Sequence, residues 1–172
     1  LSGLVGSEMC IRDRNGTMNR RPLGVGIINL AYWMAKHDMT YTNPNLNLIH
    51  EYAEAWSYYL IKASVNLAKE KGQCPLSNQT KYYTGTVPID TYKIDVDELV
   101  DPIYKMDWQE LRRQLQQYGI RNSTLMALMP AETSAQISNS TNGIEPPRSL
   151  VSVKQSKDGV LKQVVPGIQR YK

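Results

Sequence analysis

Phenylalanine is absent from this 172-residue chain, and cysteine occurs only twice, at Cys10 and Cys74. The first absence, in a chain rich in tyrosine, has no mechanism attached to it. The scarcity of cysteine excludes more, because too few thiols remain for a disulfide framework or a zinc cluster built from this chain alone. No apolar run approaches the roughly 20 residues needed to span a bilayer. Runs of like charge are missing as well. The formal net charge is +4, with acidic residues interspersed, which gives no support to a nucleic-acid or membrane surface. The Asn-x-Ser/Thr triplets at Asn78, Asn122 and Asn139 are read as chance sequons, and a reducing, cytoplasmic setting fits best.

What is present begins with a segment that does not read as protein. Leu4 to Arg14, LVGSEMCIRDR, can be written codon for codon as a transposase-type sequencing adapter. It has no basic start, long apolar middle or small-residue cleavage site. Residues 1–14 are therefore set aside as a library scar, and residues 15–172 carry the fold reasoning. Removing Arg12, Arg14, Glu8 and Asp13 takes 20 basic and 16 acidic residues to 18 and 14, so the net charge is unchanged. Cys74 is then the one remaining thiol.

Along the rest of the chain, LGVGIINLAYWMAK, residues 23–36, reads as an apolar segment that turns helical in its second half and ends near His37 and Asp38. Gly24-x-Gly26 fails as a dinucleotide fingerprint, because Asn29 holds the third glycine position. The passage from Asn43 to Gly72 is the clearest helix. Ile49, Tyr52, Ala53, Trp56, Tyr59, Leu60, Ala63 and Leu67 recur at three- and four-residue steps and predict the buried face. Lys69 and Lys71 suit its last turn, and Gly72 its stop. His50-Glu51 lacks the second histidine of a zinc-protease helix and is read as a solvated face. Residues 75–88 read as loop, residues 95–100 as a short acidic helix. In MDWQELRRQLQQYG, Asp107 and Glu110 form a capping-box pattern, Leu111, Leu115 and Tyr118 share a face, and Gly119 ends the helix.

The informative stretch is RNSTLMALMPAETSAQISNSTNGIEPPR, residues 121–148. STLMALM is short and apolar almost throughout, as in a strand buried on both faces of a parallel sheet. Pro130 stops it, and a hydroxyl-rich helix follows. Thr133 and Ser134 lie near its N-terminus, where free backbone N–H groups and the helix dipole suit a phosphate. The same two hydroxyls suit helix caps, and the residues alone leave both readings open. Farther on, LVSVKQSKDGVLKQVVP predicts a β-hairpin turning at Lys157-Asp158-Gly159. The pattern as a whole is that of an incomplete α/β body with an added ribbon.

The residues from Ile120 to Arg148, IRNSTL, LMP, ETS, QISN and TNGIEPPR, resemble the large catalytic subunit of class I ribonucleotide reductase. So do MNRRPLGVGIIN, YYLIKAS with LAKE and the later CP, PIDTYK at Pro88 to Lys93, and SKDG followed by QVVP. The likeness extends over residues 15–166. It implies an α/β fold, the chain being part of a ten-stranded α/β barrel with an added β-hairpin, an incomplete domain cut from the barrel's C-terminal half. It further implies reduction of ribonucleoside diphosphates by thiyl-radical chemistry, with the substrate diphosphate held at the positions of Pro130, Ala131, Glu132, Thr133 and Ser134. Ala131 departs from the Ser or Thr usual there, which removes one hydroxyl contact.

The family's N-x-C-x-E radical-cysteine pattern, the partner of its reducible cysteine pair, its tyrosine relay and its cysteine-bearing tail do not occur. Tyr58-Tyr59 and Tyr82-Tyr83 match other parts of the family and are not assigned the relay; Cys74 matches a structural position. No catalytic residue, metal or cofactor is therefore expected in this segment, which is expected to be inactive alone. The resemblance implies a homodimeric large subunit, a small subunit carrying a metal-radical cofactor, thioredoxin or glutaredoxin as reductant, and ATP and deoxynucleotide effectors. Rival readings are a stand-alone phosphate-binding or interaction module and an adenosylcobalamin-dependent reductase.

Overall fold

A computed structural model of the chain describes residues 8–92, 95–100, 103–156 and 159–170. Two compact units emerge, one formed by residues 1–24 and 46–126, the other by 25–45 and 127–172. The first is built on two helices, α3 (Leu46–Lys71) and α5 (Trp108–Tyr118). Before α3 in sequence come α1 (Glu8–Arg20) and, in the second unit, α2 (Leu30–Lys36). Residues 11–18 of α1 are exposed, so a helix over part of the segment set aside as a scar says nothing about its origin.

Helix α3 ends as its residues dictate. Gly72 takes φ +79°, and its N–H donates to Ala68 O at 2.9 Å. The buried face differs from the expected one. Glu54, Ser57, Tyr58, Ile61, Ser64, Val65 and Ala68 are buried, whereas Tyr59 is 58% exposed and Tyr52 and Leu67 are also exposed. Periodicity picked the most aromatic stripe; the core took a face containing three polar side chains because each finds partners. Ser57 Oγ donates to Glu54 O (3.0 Å), and Ser64 Oγ donates to Asn122 Oδ1 (2.9 Å) while accepting from Asn122 N–H (3.0 Å). Glu54 accepts from the N–H groups of Lys105 and Met106 at 3.1 Å and from Trp108 Nε1 at 2.8 Å. A buried carboxylate with that many donors no longer bears the full cost of desolvation.

Around this anchor, Tyr58, Ile61, Val65, Val87, Trp108, Leu111, Leu115, Ile120 and Leu125 form the core. Helix α5 starts and stops as expected: Glu110 N–H donates to Asp107 Oδ1 (2.9 Å), and Gly119 sits at φ +67°. The reciprocal half of the capping box is replaced, since the Glu110 carboxylate accepts from Arg113 and Gln114 instead. The passage read as loop holds two 3-10 turns, Ser77–Gln79 and Lys81–Thr84, a third follows at Pro88–Asp90, and α4 (Asp95–Leu99) is the short acidic helix.

In the second unit, α2 ends at His37 as predicted. The chain at Gly26 passes so close to Ala127 that a Cβ there would meet Ala127 O at 2.5 Å; Gly26 therefore answers a packing need. Helix α6 (Glu132–Ile137) precedes the hairpin β1 (Val151–Ser156) and β2 (Gly159–Val164), antiparallel with Val151 opposite Val164. The turn residues Lys157 and Asp158 lie outside the described residues, as does Lys93. The hairpin is the one sheet among the described residues. STLMALM is thus not a strand buried on both faces: Ser123 N–H donates to Arg20 O and Leu23 N–H to Thr124 O within the first unit, Ala127 N–H to Val25 O within the second. Leu128 and Met129 are exposed. A parallel strand needs neighbours on both edges to become buried, and here one passage of backbone supplies a single edge. Among the described residues the fold is mixed helix and strand, and its sheet has two strands rather than ten.

Candidate functional site

Pro130, Glu132, Thr133 and Ser134 are exposed and Ala131 half-buried, where the chain turns into α6. Ala131 occupies the N-cap with φ −110° and no side chain able to cap. Thr133 and Ser134 make no hydroxyl hydrogen bond among the described residues, so neither is used as a cap. Their backbone N–H groups lie in the first turn, where no intrahelical acceptor exists. Ala131 is different. Its N–H donates to Asn142 O at 2.9 Å, so that donor is already engaged and not open to a phosphate.

The far end of α6 is fixed by its own chain. Ala135, 2% exposed, donates its N–H to Ala131 O (2.9 Å), and Ser138 Oγ donates to Ser134 O (2.7 Å). Asn142 Nδ2 donates to Glu132 Oε1 at 3.1 Å. Beside this turn lies a cavity of about 330 Å3 lined by Glu132, Asn142, Glu145, Arg148, Val151 and Val164, among others. Two carboxylates and one guanidinium border it. Next to Glu145, Tyr41 donates to Ile144 O at 2.6 Å, and burial, with Glu145 second, raises its phenol above the ordinary range.

Other residues singled out in the sequence lie elsewhere. Cys74 is fully buried, and burial raises its thiol despite opposing fields from Arg121, Arg20 and Arg21; a thiol held protonated is a poor nucleophile. Tyr58 belongs to the core, and Tyr59 meets its ring edge-on at 5.3 Å. Tyr82 is half-buried, Tyr83 exposed. His50 is not simply solvated: its ring packs on Tyr92 and Tyr104 at 5.6 and 5.8 Å, and Nε2 is buried without a hydrogen-bond partner. Its neighbour Glu51 pairs with Lys105 at 2.7 Å. Among the described residues, no three His, Cys, Asp or Glu side chains cluster as metal ligands, and no helix is long and apolar enough to cross a membrane. Sequence reasoning gave Asn29 and Asn142 no role at the site; for Asn29 the available signal was an asparagine immediately before an apolar helix, a position that favours capping.

The family model described as "Ribonucleotide reductase, barrel domain" matches residues 7–171. The chain is 55% identical over 160 residues to the ribonucleoside-diphosphate reductase 1 subunit alpha of Salmonella typhimurium, covering 92% of this chain and 21% of that protein. Against the protein of the same name from Escherichia coli K12 the identity is 56%, over 89% of this chain and 20% of the relative. Against the ribonucleoside-diphosphate reductase subunit alpha of Enterobacteria phage T4 it is 52%, over 87% and 20%. The chain spans about a fifth of the length of these curated relatives.

Proposed function

The chain belongs to the ribonucleotide reductase barrel-domain family, and from that membership we propose that it is part of the large subunit of a ribonucleoside-diphosphate reductase, with Pro130 to Ser134 holding the substrate's diphosphate. The observation that carries the site is the exposed pair of hydroxyls on Thr133 and Ser134, without a hydrogen-bond partner among the described residues, at positions whose backbone N–H groups have no intrahelical acceptor. Hydrogen bonds to a charged phosphate contribute roughly 1.5–3 kcal/mol each before the cost of ordering the side chain, which leaves about 1 kcal/mol net per hydroxyl. A diphosphate held alike in ground and transition states lowers KM and leaves kcat alone. Ala131 supplies neither a hydroxyl nor its N–H, so the cradle works from Thr133 and Ser134. In the intact protein we place residues 15–172 within a ten-stranded barrel, residues 123–129 forming a wall strand whose open edge and exposed Leu128 and Met129 the rest of the chain covers.

The radical step lies outside these residues. The intact protein, a cytoplasmic homodimer, receives its radical from a small subunit that holds the metal-radical cofactor. Thioredoxin or glutaredoxin returns the reducing equivalents, and ATP and deoxynucleotides regulate it. The test is to express the full-length subunit containing this segment with its small subunit and follow conversion of ribonucleoside diphosphates to deoxyribonucleoside diphosphates. Turnover by the pair, and none by residues 15–172 alone, is expected. A radical-loaded pair that leaves every ribonucleoside diphosphate unreduced contradicts the assignment.

A further inference from the structure

A six-residue helix has too few internal hydrogen bonds to hold a binding turn in place by itself, so α6 must be positioned from outside. The contacts form a short chain. Asn142 grips the turn twice, through its carbonyl to Ala131 N–H (2.9 Å) and through Nδ2 to Glu132 Oε1 (3.1 Å). The preceding residue, Thr141, is clasped by Asn29 through both of its backbone polar groups: Asn29 N–H donates to Thr141 O (3.1 Å), and Thr141 N–H donates to Asn29 Oδ1 (3.3 Å). Asn29 stands at the N-cap of α2 in the left-handed region, φ +65° and ψ +26°, with no side-chain capping bond. Asparagine is among the best N-caps, yet here its amide serves the 141–142 loop and leaves its own helix uncapped. Asparagine also tolerates φ > 0 better than other residues with side chains. Helix α2 is in turn anchored by Met34, 2% exposed.

We propose that Asn29 and Asn142 are positioning residues for the diphosphate cradle, Asn29 clasping Thr141 so that Asn142 can hold Ala131 and Glu132 at the start of α6. The proposal rests on the cradle reading. Asn29→Gly keeps the left-handed backbone and the backbone N–H to Thr141 O but deletes the side-chain half of the clasp, the Oδ1 that accepts from Thr141 N–H; Asn29→Asp keeps an oxygen acceptor at the same reach. In the full-length reductase, Asn29→Gly is expected to raise KM for a ribonucleoside diphosphate by about threefold to tenfold, the size of one hydrogen bond, with kcat within about twofold. Asn29→Asp should restore KM. Ser134→Ala, measured alongside, separates the two ideas. If Ser134→Ala raises KM and Asn29→Gly does not, the clasp is overturned and the cradle stands; if neither changes KM, the cradle reading fails first. Loss of melting temperature with KM unchanged would make Asn29 merely structural. Should Asn29→Gly prove insoluble, Asn142→Asp, which sets a carboxylate against Glu132, must raise the diphosphate KM, and an unchanged KM overturns the proposal.

Discussion

Glu54 and Glu132 are glutamates near opposite limits of what a folded chain does with a carboxylate. Glu54 is 0% exposed and accepts from two backbone N–H groups and an indole N–H. Glu132 is exposed at the first turn of a six-residue helix, beside two hydroxyls that bond to nothing among the described residues. One region has satisfied itself, and the other has left its donors for something else. Stability resides where polar groups close on one another; binding resides where they are held apart by their neighbours.

The contrast breaks first at Glu54. Glu54→Ala strands the three donors in a dry core, each at about 1–3 kcal/mol. Urea unfolding of the intact subunit should show about 3–5 kcal/mol lost from the cooperative unit containing α3 and α5; a loss under 1 kcal/mol would show that water reaches those donors. A smaller effect separates the core from its rim. Arg112 reaches Asp90 through two nitrogens at 2.8 and 2.6 Å and, by that bond, lowers the Asp90 pKa. A carboxylate with a depressed folded pKa contributes stability above its ordinary value and loses it as pH falls through the folded one. With the pair a third exposed, the contribution is about 0.5 kcal/mol at neutral pH. The difference between the protein and Asp90→Asn should therefore shrink below about pH 4; a difference that grows there reverses the sign. Least of all should residues 1–14 matter, since residues 11–18 are exposed. Their deletion is expected to move the melting temperature by no more than about 1 °C, and a drop of several degrees would show that the segment packs.

Local chemistry was readable in the sequence wherever a few adjacent residues decide the outcome. Asp107 caps α5, Gly72 and Gly119 end their helices, and the Val151–Val164 ribbon forms, because each rests on neighbours a few positions away. The face of α3 was not readable. Choosing Glu54 and Ser64 over Trp56 and Tyr59 depends on Trp108 and Asn122, more than fifty positions distant. The burial of residues 123–129 was not readable for a related reason, as it depends on sheet neighbours that the described residues do not provide. At the cradle, the hydroxyls were legible from Thr133 and Ser134 themselves. Their bracket was not, since an asparagine before a helix reads as a cap until Thr141 is found beside it.

The central claim, that the Thr133–Ser134 turn holds a diphosphate, is tested most directly by calorimetric binding to the full-length subunit. A ribonucleoside diphosphate, the matching monophosphate and the free nucleoside are compared on the native protein and on Thr133→Ala/Ser134→Ala. The double variant should bind the diphosphate about tenfold to a hundredfold more weakly, as two lost hydroxyl bonds of about 1 kcal/mol or slightly more require, and the nucleoside unchanged. Equal affinity of both proteins for the diphosphate, or an equal loss for all three ligands, would contradict the claim.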